Sequence, residues 1–117
     1  MDERIYKYLS DILQAIEEIE VTTADRGSRY DVFIKDFVFR KFVERNIEIM
    51  GEAMNRILKL EPKIQIASAR KVVDTRNYVI HGYDSLIPEI LWAIVINHLA
   101  PLKKDVRHLL DGHTPQP

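Results

Sequence analysis

The sequence predicts an all-α fold, an antiparallel four-helix bundle in one domain over residues 1–111, with a kinked last helix and a disordered tail at residues 112–117. Three observations predict it. Apolar residues recur at alternating spacings of three and four, the period of one helix face. No stretch alternates apolar and polar residues as a half-buried strand does, and no internal repeat or second domain is visible. Breaks in the rhythm fall at "TTADRGSRYD", "EPKIQI" and "GYDSLIP", which therefore read as connections. With 117 residues, 46% of them hydrophobic, the chain can bury roughly two thirds of its unfolded surface, enough for a single core.

The first helix is expected at residues 2–20, where Ile5, Leu9, Ile12, Ile16 and Ile19 form one apolar stripe. Ser28, with Asp31 three residues later, resembles a capping box that opens the next helix. That helix is expected to run unbroken over residues 30–60, about 45 Å at 1.5 Å per residue. Its C-terminal half has a clean stripe of Phe39, Val43, Met50, Ala53, Ile57 and Leu60. Phe33 and Phe37 lie roughly on the opposite side, more apolar surface than one helical neighbour covers, which favours a subunit interface there. A third, shorter helix is expected at residues 67–81 and a fourth at residues 86–110. Pro88 fits the fourth helix's first turn, Pro101 should kink its middle, and Gly112 should stop it.

Composition excludes several chemistries. Cysteine is absent, so there is no disulfide framework, thiolate metal site or thiol nucleophile. The opening "MDERIYKYLSDIL" lacks the basic segment and apolar core of a secretion signal, and the longest apolar run, "ILWAIVI", falls far short of the ~20 residues of a membrane helix. A soluble, cytoplasmic protein with no membrane partner is expected. Net charge is −1, yet the charges are uneven: residues 1–20 hold six acids and two bases, whereas residues 63–76 hold four bases and one acid. That imbalance is either a pair of solvated faces or a local basic surface able to attract a phosphate backbone.

The chemistry concentrates in "RNYVIHGYD", residues 76–84. Winding the third helix at ~100° per residue puts Ala69, Val72, Val73, Val79 and Ile80 in one arc, with Arg76 at its centre. A guanidinium cannot shed its charge, so an inward Arg76 must meet a carboxylate, line a hydrated cleft or face a subunit boundary. Asn46 occupies the same position in the apolar arc of the long helix, so the two suggest a shared polar pocket; alone, Asn46 reads better as a register-fixing amide. His81 lies ~140° from Arg76 on a continuous helix, but Gly82 offers a stop that lets His81 and Tyr83 bend back over the arginine's side. In one cleft, His81 could take the proton of a ribose 2′-hydroxyl while Arg76 holds the scissile phosphate. The simpler readings are a helix-capping histidine and a packing tyrosine. His98 sits at the edge of an apolar stripe as a core residue would, and His108 and His113 are near a frayed end.

These residues carry a resemblance. "RNYVIHGYD", preceded by "FVERNIEIMGEAMNRI" and followed by "EILWAIVINHLAPLKKDV", resembles the HepT-like branch of the HEPN superfamily, and the match covers nearly the whole chain. The blocks are Gly51, Glu52 and Ala53 in the long helix, the Arg-Asn and His-x-Tyr signature, and the Pro-containing last helix; the connector departs from the pattern in lacking a tryptophan. The resemblance implies an all-helical, dimeric, metal-independent ribonuclease acting as the toxin of a toxin–antitoxin pair, whose partner is a minimal nucleotidyltransferase. It also implies that Arg76 and His81 are the catalytic pair, that Asn77 is the Asn beside the arginine, and that Tyr83 is the tyrosine the partner modifies with AMP.

The expected function is therefore endoribonuclease cleavage of RNA by 2′-hydroxyl transesterification in a homodimer, with no cofactor and no metal. The alternative is a non-catalytic nucleotide-binding or protein-interaction module partnered with a nucleotidyltransferase. A di-metal bundle enzyme ranks third, because no Glu-x-x-His pair occurs.

Overall fold

The computed structural model describes residues 1–81 and 87–113. Helix α1 spans Glu3–Asp25, and Asp2 caps it by accepting the Arg4 N–H at 2.8 Å. It runs beyond the expected end because nothing in Val21–Asp25 breaks a helix; Gly27, at φ 85°, does. The expected Ser28–Asp31 capping box is not formed. Ser28 itself adopts φ 53°, Arg29 occupies the cap position, and Asp31 is held by the Arg29 guanidinium at 2.6 Å.

The long second helix is two helices, which corrects the unbroken expectation. Helix α2 covers Tyr30–Lys35 and α3 covers Phe37–Leu60. Asp36 separates them with an extended backbone (φ −95°, ψ 96°), and its carboxylate accepts the Phe39 N–H at 3.0 Å, restarting the helix as an N-cap. The break turns Phe33 inward, where it is fully buried against Phe39 and Trp92, at ring distances of 5.1 and 5.0 Å. Phe33 is thus covered within the chain, contrary to the expected subunit contact, while Phe37 stays 61% exposed.

Helix α4 spans Ala69–Ile80, α5 spans Ile87–Ala93 and α6 spans Leu99–Asp111, with a π-helical turn at Ile94–His98 between the last two. The irregularity expected at Pro101 falls before it. Pro101 lies in the first turn of α6, where its missing N–H costs little, and the Leu99 N–H reaches the Ile94 carbonyl across the wider turn. Among the described residues there is no strand. Gly112 ends α6 without a left-handed backbone, and His113 stacks on Tyr6 with ring centres 3.6 Å apart. Residues 114–117 of the expected tail lie outside the described residues.

Helix α3 is the centre of the packing, with α1 and α4 against it and α6 against α1. Buried Ile5, Leu9, Ile12, Ile16 and Ile19 confirm the stripe of α1, and Phe39, Val43, Met50, Ala53 and Ile57 that of α3; Leu60 is half-buried. Ion pairs lace α6 to α1 at the rim, Lys103 with Glu20 at 2.6 Å and Arg107 with Glu17 at 3.7 Å. No described helix is long and apolar enough to cross a membrane.

Candidate functional site

Helix α4 buries Ala69, Val72, Val73, Thr75 and Val79. Arg76 lies within that arc and is half-buried, so the inward direction read from the sequence holds, but Ile80 at the arc's edge is 54% exposed. The arginine's stem lies on α3 at Gly51. A Cβ placed on Gly51 would come 2.2 Å from the Arg76 Cβ and 2.7 Å from its Cγ. Only a residue without a side chain lets the helices approach this closely, and that contact fixes where the guanidinium emerges.

The guanidinium opens into a cleft of ≈ 340 Å³ shared with Tyr8 and Asp11 of α1, Arg45, Glu48, Ile49, Glu52, Ala53 and Arg56 of α3, and Ile80. Its other arginines are engaged by carboxylates: Arg45 by Glu48 at 3.6 Å and Arg56 by Glu52 at 2.9 Å. The Tyr8 hydroxyl, and after it Glu52, holds the Arg56 pKa above its ordinary value. Arg76 differs. Among the described residues no carboxylate lies within ion-pair distance, and its Nη1 donates to the Asn77 Oδ1 at 3.2 Å. A guanidinium carries five donors, so Arg76 retains several for a tetrahedral oxyanion in the cleft.

The other expected residues fall as follows. His81 follows α4 as its C-cap residue, exposed, with its N–H on the Asn77 carbonyl at 3.2 Å, and it does not line the cleft. Gly82 and Tyr83 lie outside the described residues, and with them the bend expected to unite Arg76, His81 and Tyr83. Asn46 is 4% exposed and donates to the Phe42 carbonyl of its own helix at 3.1 Å; the cleft is lined without it. His98 is half-buried, with Nδ1 2.8 Å from the Ser68 hydroxyl. Among the described residues no three His, Asp or Glu side chains are grouped to hold a metal ion. Sequence reasoning missed Tyr8, Arg45, Glu48 and Arg56. The signal for the last three was a polar stripe on α3 at helical spacing, which reads by itself as a solvated face.

The cleft is built around an arginine and a glycine of the resemblance blocks, and comparison with known proteins decides the chain's kinship. The family model described as "Ribonuclease HepT-like" matches residues 12–109. The chain belongs to that family. A HepT-like relative from Thermococcus cleftensis, named "Probable ribonuclease HepT", is 34% identical over 100 residues, covering 82% of this chain and 86% of its own. A chain of Methanocaldococcus jannaschii, named provisionally as an RNase, is 32% identical over 100 residues, covering 85% and 90%. One from Caldanaerobacter subterraneus subsp. tengcongensis, also provisionally an RNase, is 28% identical over 104 residues, covering 88% and 91%. No solved structure matches the chain.

Proposed function

We propose that this HepT-like chain is a metal-independent endoribonuclease that cleaves RNA by transesterification. The observation that carries the reading is Arg76, seated on Gly51 in a cleft and matched by no carboxylate among the described residues. In the step proposed, the scissile nucleotide reaches from the Arg76 cleft to His81 at the end of α4, where His81 takes the proton of the ribose 2′-hydroxyl and the 2′-oxygen attacks phosphorus. The bond to the 5′-oxygen breaks, and that oxygen leaves as a hydroxyl after receiving a proton. Arg76 holds the non-bridging oxygens as charge builds on them. One candidate histidine per chain suits a homodimer in which the partner copy's His81 gives the second proton. The arrangement of α1, α3, α4 and α5–α6 is read as an antiparallel four-helix bundle, in keeping with the packing of α1 and α4 on α3.

The test is cleavage of single-stranded RNA in a chelator. Fragments ending in a 2′,3′-cyclic phosphate and a 5′-hydroxyl are expected, and substrate with a 2′-deoxy scissile nucleotide should stay intact. Arg76→Ala and His81→Ala should each lower the rate, His81→Ala by about 10²- to 10⁴-fold, with helical circular dichroism unchanged. A wild-type rate in either variant overturns the assigned roles. The toxin role and the nucleotidyltransferase partner are proposed on the family's implication alone: AMP on Tyr83 would set an anion and a base where RNA phosphate must sit. Peptide mass spectrometry after co-expression reads that adduct, and an adduct on Tyr78 or Tyr30 with Tyr83 unmodified counts against it.

A further inference from the structure

The N-terminal end of α3 combines features that the cleft does not use. Phe37 presents its ring to solvent, 61% exposed, and the Lys41 ammonium stands 5.6 Å from the ring centre. A depression of ≈ 400 Å³ beside the ring is lined by Ile34, Arg40, Lys41, Glu44, Pro88 and Leu91 as well as Phe37 itself. Among the described residues, Arg40 is anchored only through the Ile34 carbonyl. Most arginines of this chain sit against carboxylates: Arg4, Arg26, Arg29, Arg45, Arg56 and Arg107 all do. Lys35, Arg40 and Lys41 do not, among the described residues. The nearby acids Asp31 and Asp36 are taken by Arg29 and Arg26, and among the described residues Glu44 is the carboxylate that lines the depression.

We propose that this end of α3 is a platform for single-stranded RNA, in which the Phe37 ring stacks an unpaired base while Lys41, Arg40 and Lys35 neutralise the adjoining phosphates. The identity of the ligand as RNA rests on the ribonuclease reading; the platform itself rests on the ring and the cations. An exposed aromatic flanked by cations suits a single strand, because every base has a face to stack and each is linked to a phosphate. A duplex keeps its base faces occupied and leaves the ring unused. An apolar protein partner would use the ring but leave three cations without counter-charge. The position also fits the substrate path. Lys41 is one helical turn from Arg45, which lines the Arg76 cleft, and Phe37 is about 21 Å along α3 from Gly51 at 1.5 Å per residue, a reach of a few nucleotides.

The experiment measures binding of a short fluorescent single-stranded RNA by anisotropy, in the Arg76→Ala background so that nothing is cut, with light scattering on each variant. Phe37→Ala should weaken binding roughly 5- to 150-fold, the range of one base–aromatic stack, and Phe37→Trp should restore it. Lys41→Gln should flatten the dependence of log affinity on log salt by about 0.7, the contribution of one phosphate on a single strand. Unchanged affinity in Phe37→Ala overturns the platform, as does equal weakening by Ala and Trp. Conversion of a dimer to a monomer by Phe37→Ala also overturns it, by assigning the ring to a subunit contact. Binding that depends on Phe37 in a chain that never cuts RNA supports the platform and counts only against the ribonuclease reading.

Discussion

At the residue scale, Arg76 was legible because burying a cation is so costly that its place in an apolar arc is informative without any structure. Asn46 misled on the same rule: an amide can satisfy itself on its own helix, as its bond to the Phe42 carbonyl shows, so an inward amide need not mark a pocket. Gly51 was visible as part of a resemblance block, but its physical role was not. A glycine in mid-helix is unfavourable by about 1 kcal/mol relative to alanine, so Gly51→Ala should stabilise α3 if nothing touched it. The contact at 2.2 Å reverses that sign. The Arg76 Cβ is fixed to the α4 backbone and cannot swing aside as a side-chain tip would, so overpacking of about 1–3 kcal/mol is expected to exceed the propensity gain. Gly51→Ala should lower the thermal midpoint and reduce RNA cleavage together, while Gly112→Ala, where a Cβ meets nothing closer than 3.6 Å, should do neither. A Gly51→Ala protein as stable and active as wild type would sink this account of the Arg76 seat.

At the element scale, the helical character and most stripes could be read from periodicity, but the number of helices and their boundaries could not. The Asp36 break was hidden because Tyr30–Lys35 and Phe37–Leu60 each keep helical spacing across a single non-helical residue. Only the way Phe33 and Phe39 converge on Trp92 shows why the chain must turn there. The carboxylate of Asp36 is held below its ordinary pKa of 3.8, first by the Phe39 N–H and then by Arg26. Its folded-state pKa is therefore lower than its unfolded one. The resulting stabilisation is fully present above the unfolded value and disappears as pH falls through the lowered folded value. Asp36→Asn keeps an acceptor for the cap but removes the titration. Below pH about 4, the wild-type midpoint should fall more steeply with pH than that of Asp36→Asn. Parallel acid profiles in thermal melts would show that Asp36 does not contribute to acid lability.

At the scale of the whole molecule, the proposed reaction asks for two proton-transfer groups. Transesterification needs a base at the 2′-oxygen and an acid at the 5′-oxygen, and His81 is the one histidine adjoining Arg76 in the signature. The largely polar rim of the cleft also carries two exposed isoleucines, Ile49 at 37% and Ile80 at 54%. Both points favour a second copy seated over the rim. Ile49 is ~120° around α3 from Phe37 at 100° per residue, so such a contact leaves the proposed RNA platform free. Ile49→Glu puts a charge on a site already touched by solvent, which the single chain should tolerate, but it buries that charge in a dimer. The variant should keep wild-type helicity, shift toward monomer in light scattering, and lose cleavage at low protein concentration. Activity should return as concentration rises, because mass action restores the dimer. A monomeric Ile49→Glu chain cutting RNA at the full rate per chain, independent of concentration, would show that one copy supplies the whole reaction.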